Sequence, residues 1–67
     1  MRDVNRIYVI MNKLTALWSK NPDLRFYQLM HAITSEVFHD NPGWEDLFYL
    51  EDDKTLATLN RLTEEAL

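Results

Sequence analysis

Apolar residues recur at spacings of three and four near the start of the chain. Ile7, Ile10, Met11, Leu14, Leu17 and Trp18 fall on one side of a helix. The opposite side carries Asn5, Arg6, Asn12, Lys13 and Ser19, so the pattern predicts an amphipathic helix with one buried stripe and a solvated back. Asp3 is placed to cap its start, and Lys20 puts a cation where the C-terminal end of the helix dipole favours one. Pro22 cannot continue the helix and disfavours helical geometry at Asn21, so the chain must turn at Asn21-Pro22.

A second stripe follows in Phe26, Leu29, Met30, Ile33 and Val37, predicting a helix that ends near Phe38. Two starts are open: Asn21 as the cap with Pro22 in the first helical position, or Asp23 as the cap one turn later, which is preferred. So short a connection predicts that the two helices are antiparallel neighbours. His39-Asp40-Asn41-Pro42-Gly43 is dense in turn formers and holds the only glycine, which predicts a loop. Trp44 to Leu50 then brings Trp44, Phe48, Tyr49 and Leu50, a pattern that fits a short turn begun at Asp46 or an extended strap; a turn across the open end of the hairpin is favoured. Asp52 or Glu51 is expected to cap a third helix with Leu56, Leu59 and Leu62 inside. Glu64 and Glu65 oppose the dipole at its end, so the last turn is expected to fray. The fold class this predicts is all-α: one three-helix domain over residues 1–67, built from an antiparallel helical hairpin, an aromatic turn and a C-terminal helix.

Composition narrows the possibilities. A chain that is 46% hydrophobic, with one glycine and two prolines, has the makeup of a globular domain rather than a disordered segment. Its 67 residues can enclose only a thin core, and the absence of cysteine removes disulfides and thiolate metal sites, leaving close packing or oligomerisation to complete its stability. No apolar run reaches the ~18 to 20 residues of a membrane span, and the Met-Arg-Asp start lacks the apolar core of a signal peptide, so a cytoplasmic location is expected. The net charge of −4 is uneven. Residues 1–44 carry five basic and four acidic side chains, residues 45–67 two basic and seven acidic. Nucleic-acid binding, which depends on converging Lys and Arg, is therefore disfavoured.

Two segments carry a family resemblance. Trp18-Ser19-Lys20-Asn21-Pro22-Asp23-Leu24 gives a W-x-K-x-P-D-L pattern between helices, and Leu47-Phe48-Tyr49-Leu50-Glu51-Asp52-Asp53 runs from aromatic to acidic ahead of the last helix. In both, the chain resembles small bacterial and phage-encoded proteins that include the YihD-like group. The resemblance implies an all-helical fold and a cytoplasmic location, is compatible with a phage accessory factor acting on a host protein, and carries over no catalytic residue.

Sites of chemistry are sparse. His39-Asp40 with His31 echoes metal-dependent phosphohydrolases, but the further ligands such a centre needs are missing, and a loop histidine beside a turn-forming aspartate is the simpler account. Glu51-Asp52-Asp53 lacks the spacing and glycine of a calcium loop, and capping explains its acids. There is no cysteine, nucleophile elbow or Gly-rich phosphate loop. No enzyme activity, metal or cofactor is expected. Arg25 is expected to bridge to Asp23 or to a carboxylate of the acidic third.

The aromatic residues stand out more. Eight rings, each able to bury ~150 to 250 Å², are too many for so short a bundle to enclose. Trp18, Tyr27, Trp44, Phe48 and Tyr49 are the candidate protein-interaction residues, rimmed by acids that would steer them toward a basic partner. The sequence thus points to a non-catalytic protein–protein interaction module, expected as a homodimer. A small dimeric DNA-binding regulator is the alternative, with Arg25, Gln28 and His31 on the second helix or Lys54, Asn60 and Arg61 on the third.

Overall fold

A computed structural model describes residues 2–65 and shows three helices: α1 over Asn5–Lys20, α2 over Phe26–Asp40 and α3 over Asp52–Glu65. Among the described residues there is no strand, and no helix is long and apolar enough to cross a membrane. The all-α, three-helix expectation holds.

The helix boundaries follow from local chemistry. Asp3 Oδ1 accepts the Asn5 N–H at 2.9 Å, satisfying one of the free amides at the start of α1. Both α1 and α2 stop in the same way. Asn21 and Asn41, each barred from helical geometry by the proline that follows, turn their side-chain amides back to donate to the carbonyls of Leu17 (3.0 Å) and Val37 (2.8 Å). After Asn41, the turn through Pro42 requires Gly43, whose φ of 98° disfavours any side chain. The preferred cap of α2 is corrected. The helix begins not after Asp23 but at Phe26, where Gln28 Oε1 accepts the Arg25 N–H at 2.7 Å, and it runs on to Asp40, past Phe38. The favoured turn after Trp44 is present: Asp46 Oδ1 accepts the Phe48 N–H, and the Leu50 N–H donates to Leu47 O, which tucks Leu50 into the core. α3 is intact through Glu65, so Glu64 and Glu65, expected in a fraying last turn, are helical; residues 66 and 67 lie outside the described residues.

The core comprises Leu17 of α1, Leu29, Ile33 and Val37 of α2, Leu59 and Leu62 of α3, and Leu50 from the loop. Its organisation differs from a simple hairpin with a third helix added. α1 and α2 each pack along α3 and touch one another far less. α1 and α3 run in the same direction, since Arg6 meets Asp52 at one end and Lys20 Nζ donates to the Thr63 carbonyl at the other. With α2 absent from much of its flank, α1 buries only part of its predicted stripe. Leu17 is inside and Ile10 and Leu14 are half-buried, whereas Ile7, Met11 and Trp18 remain 48%, 54% and 37% exposed. α2 buries Leu29, Ile33 and Val37 but leaves Phe26 exposed.

Each fully buried leucine contributes about 1.5 to 3 kcal/mol, and those of α3 serve both neighbours. Leu59→Ala is expected to cost about 3 kcal/mol, enough to bring a domain of this size close to unfolding at room temperature, as urea titration followed by circular dichroism will report.

Candidate functional site

The eight aromatic side chains do not enter the core. Phe38 is half-buried; Tyr8, Trp18, Phe26, Tyr27, Trp44, Phe48 and Tyr49 are exposed. Five of them form two clusters. At the α1–α2 turn, Trp18 and Phe26 lie with centroids 5.8 Å apart, and Phe26 meets Tyr27 edge-on at 5.2 Å. The Trp18 indole N–H donates to the Leu24 carbonyl at 2.8 Å, so its polar edge is satisfied while part of the ring stays open. On the α2–α3 loop, the turn set by Asp46 holds Phe48 against Tyr49, edge to face at 4.8 Å, with both side chains nearly four-fifths exposed.

Of the five candidate residues, Trp18 and Tyr27 share the first cluster and Phe48 and Tyr49 the second. Trp44 is exposed but joins neither ring group. Phe26 links Trp18 to Tyr27 and was assigned to the core from its helical period. A start at Phe26 rather than Asp23 leaves the first turn of α2 beyond the reach of the core. Asp23 lies in the α1–α2 connection from which the first cluster is built, and Asp46, preceded by Glu45, accepts the Phe48 N–H in the turn of the second. Asp23 and Glu45 form no ion pair among the described residues, and neither does Arg25, contrary to the bridge expected for it.

Polar chemistry elsewhere is structural. A cleft of about 450 Å³ opens between the N-terminal ends of α1 and α3. Its rim is joined by Arg2–Glu51 and Arg6–Asp52 at 3.1 and 2.7 Å, so both of its arginines already have partners. Asp40, read from the sequence as a turn former, is the last residue of α2. Its Oδ2 accepts from Arg61 Nε at 3.0 Å and from the buried Thr58 hydroxyl at 2.8 Å. Arg61 also donates to Glu65, while its Nη2 lies 3.5 Å from Glu36 in an ion pair without hydrogen-bond alignment. The spacing of Thr58 and Arg61, one helical turn apart, was the available signal for this cluster. Among the described residues, no three His, Asp or Glu side chains gather as a metal site would require. No family model, curated protein or solved structure matches this chain.

The Arg61 hydrogen bond is the main cause holding the Asp40 carboxyl below its ordinary value of 3.8. Desolvation opposes it, and the Thr58 hydroxyl and the charges of Arg61 and His39 reinforce it. A carboxyl whose pKa is lower folded than unfolded adds stability that is present above the unfolded value and lost as the pH falls through the folded one. Asp40→Asn is therefore expected to cost about 1 kcal/mol at neutral pH. Its deficit should shrink as the pH is taken from about 5 to about 3. Urea midpoints of the two proteins across that range provide the check, and a deficit that does not vary with pH would contradict the assignment.

Proposed function

We propose that this chain is a non-catalytic protein-interaction module whose two aromatic clusters engage a basic face of another protein. The observation that carries the reading is that seven of the eight rings lie on the surface and five of them gather in two clusters, Trp18 with Phe26 and Tyr27, and Phe48 with Tyr49. Exposed aromatic clusters supply the large, rigid contact area that anchors protein interfaces. Acids of the same connections, Asp23 ahead of the first cluster and Asp46 at the Phe48 amide, would guide a cationic partner into register. A cytoplasmic setting suits a chain without cysteine, and a phage accessory factor acting on a host protein would use such a surface.

The arrangement of cations favours this reading over a DNA-binding regulator. Arg2, Arg6 and Arg61 are held by carboxylates of the same chain. Lys13, Arg25 and Lys54 sit on three different elements, without forming the continuous basic stripe that a phosphate backbone requires.

The combined substitution Tyr27→Ser, Phe48→Ser and Tyr49→Ser removes exposed rings. It is expected to alter stability by no more than roughly 0.5 kcal/mol per site while abolishing capture of the proteins that the parent chain retains from a lysate of its native host. Equal capture by parent and variant, read by quantitative mass spectrometry, would overturn the proposal.

A further inference from the structure

The exposed side of α1 carries a second apolar surface, set roughly a third of the way around the helix from the side that packs on α3. Val4, Ile7, Met11, Leu14 and Trp18 follow one another at spacings of three and four, the a and d positions of two heptads, with Tyr8 alongside. Leu14 is shared with the core, while Val4, Ile7, Tyr8 and Met11 are 48% to 64% exposed. Among the described residues, besides Leu14 only Trp18, against Phe26, is partly covered; α2 packs on α3 and leaves the rest of the seam open.

We infer that a second copy of this chain covers the seam, α1 against α1 across a two-fold axis. Charge is the first ground. Two copies of net charge −4 repel one another unless the surfaces that meet are neutral. The seam and its border at Asn5, Asn12, Thr15 and Ser19 contain no charged side chain. The charges of α1 are confined to Arg6, Lys13 and Lys20, one heptad apart, on the side toward α3, where Arg6 meets Asp52 and Lys20 the Thr63 carbonyl. Asp3, ahead of Val4, is engaged in capping the Asn5 amide, so the seam itself offers a basic partner no free acid, and an identical, uncharged seam finds its match.

Surface area is the second ground. A compact monomer of 8.0 kDa is expected to expose about 4,450 Å², whereas this chain exposes 5182 Å². The excess of about 700 Å² is spread over the open surfaces of the chain, of which the seam is one and the aromatic clusters are others. The radius of gyration agrees: 11.9 Å against about 10.9 Å for a compact domain of this length. The surface is distinct from the aromatic clusters except at Trp18, so dimerisation and partner capture are separable.

Sedimentation equilibrium of the full chain at tens of micromolar is expected to give twice the mass of one chain. Ile7→Lys or Met11→Lys should reduce it to one chain with the helical circular dichroism retained. Val9→Lys replaces an apolar residue equally exposed on α1 but off the seam, and is expected to leave the dimer intact, as is Tyr49→Ser. Met11 lies at the midpoint of the seam and meets its counterpart whichever way the copies run, so Met11→Cys, in a chain without other cysteines, should form an intermolecular disulfide on mild oxidation. A parent protein of single-chain mass overturns the inference, as does a dimer that tolerates Met11→Lys or fails to cross-link through Met11→Cys.

Discussion

A helix can cover only one side of its neighbour, and in this fold α3 is the helix on which both others pack. That constraint governs the rest of the molecule. A bundle in which three helices touch pairwise closes a triangular core and hides a wide stripe on each. Here α1 meets α3 along its length and α2 only sparingly, so α1 hides the Ile10, Leu14 and Leu17 part of its stripe and leaves the Ile7 and Met11 part open. The same economy of contact keeps the first turn of α2 and the loop before α3 at the surface, with their rings outward.

Electrostatics adjusts this arrangement without holding it together. α1 opens with Arg2 and Arg6, cations at the end where its own dipole disfavours them, and has no acid in its first turn. Because α3 starts beside it, Glu51 and Asp52 add to the Asp3 cap and bring negative charge to both N-terminal ends. At the other end, Lys20 places one cation near the C-terminal carbonyls of both helices. Pairs as open as Arg2–Glu51 are worth at most about 1 kcal/mol each, so they set the alignment of α1 on α3 while the leucines provide the cohesion. The more enclosed group, Asp40 with Thr58 and Arg61, fixes the end of α2 on α3.

Much of this was legible in the sequence. The periodic stripes placed all three helices, and the Asn-Pro pairs placed the ends of two of them, because proline restricts the residue before it wherever the chain goes. Of the leucines expected inside α3, Leu59 and Leu62 are in the core while Leu56 is half-buried at the cleft; the turn at Gly43 was also evident. Two kinds of information were not. Periodicity gives the width of an apolar stripe but not how many helices will cover it, so Ile7, Met11 and Phe26 were assigned to a core that does not reach them. Capping preferences rank single residues, and Asp23 outranks Arg25 on that scale; the start of α2 was decided instead by Gln28 reaching back to the Arg25 amide. The candidate rings were legible as a surplus, but their division into two clusters depended on the tertiary path. Asp40 was hidden because its partners lie eighteen and twenty-one residues away.

The order of the helices along the chain has a consequence for biosynthesis. The element that buries the other two is the last of the three to leave the ribosome, so α1 and α2 emerge with their apolar sides uncovered, and neither can complete a core with the other. Folding must wait until Leu59 and Leu62 clear the exit tunnel and then proceed as a single event. The three helices thus fold as one unit rather than as a domain assembled in stages.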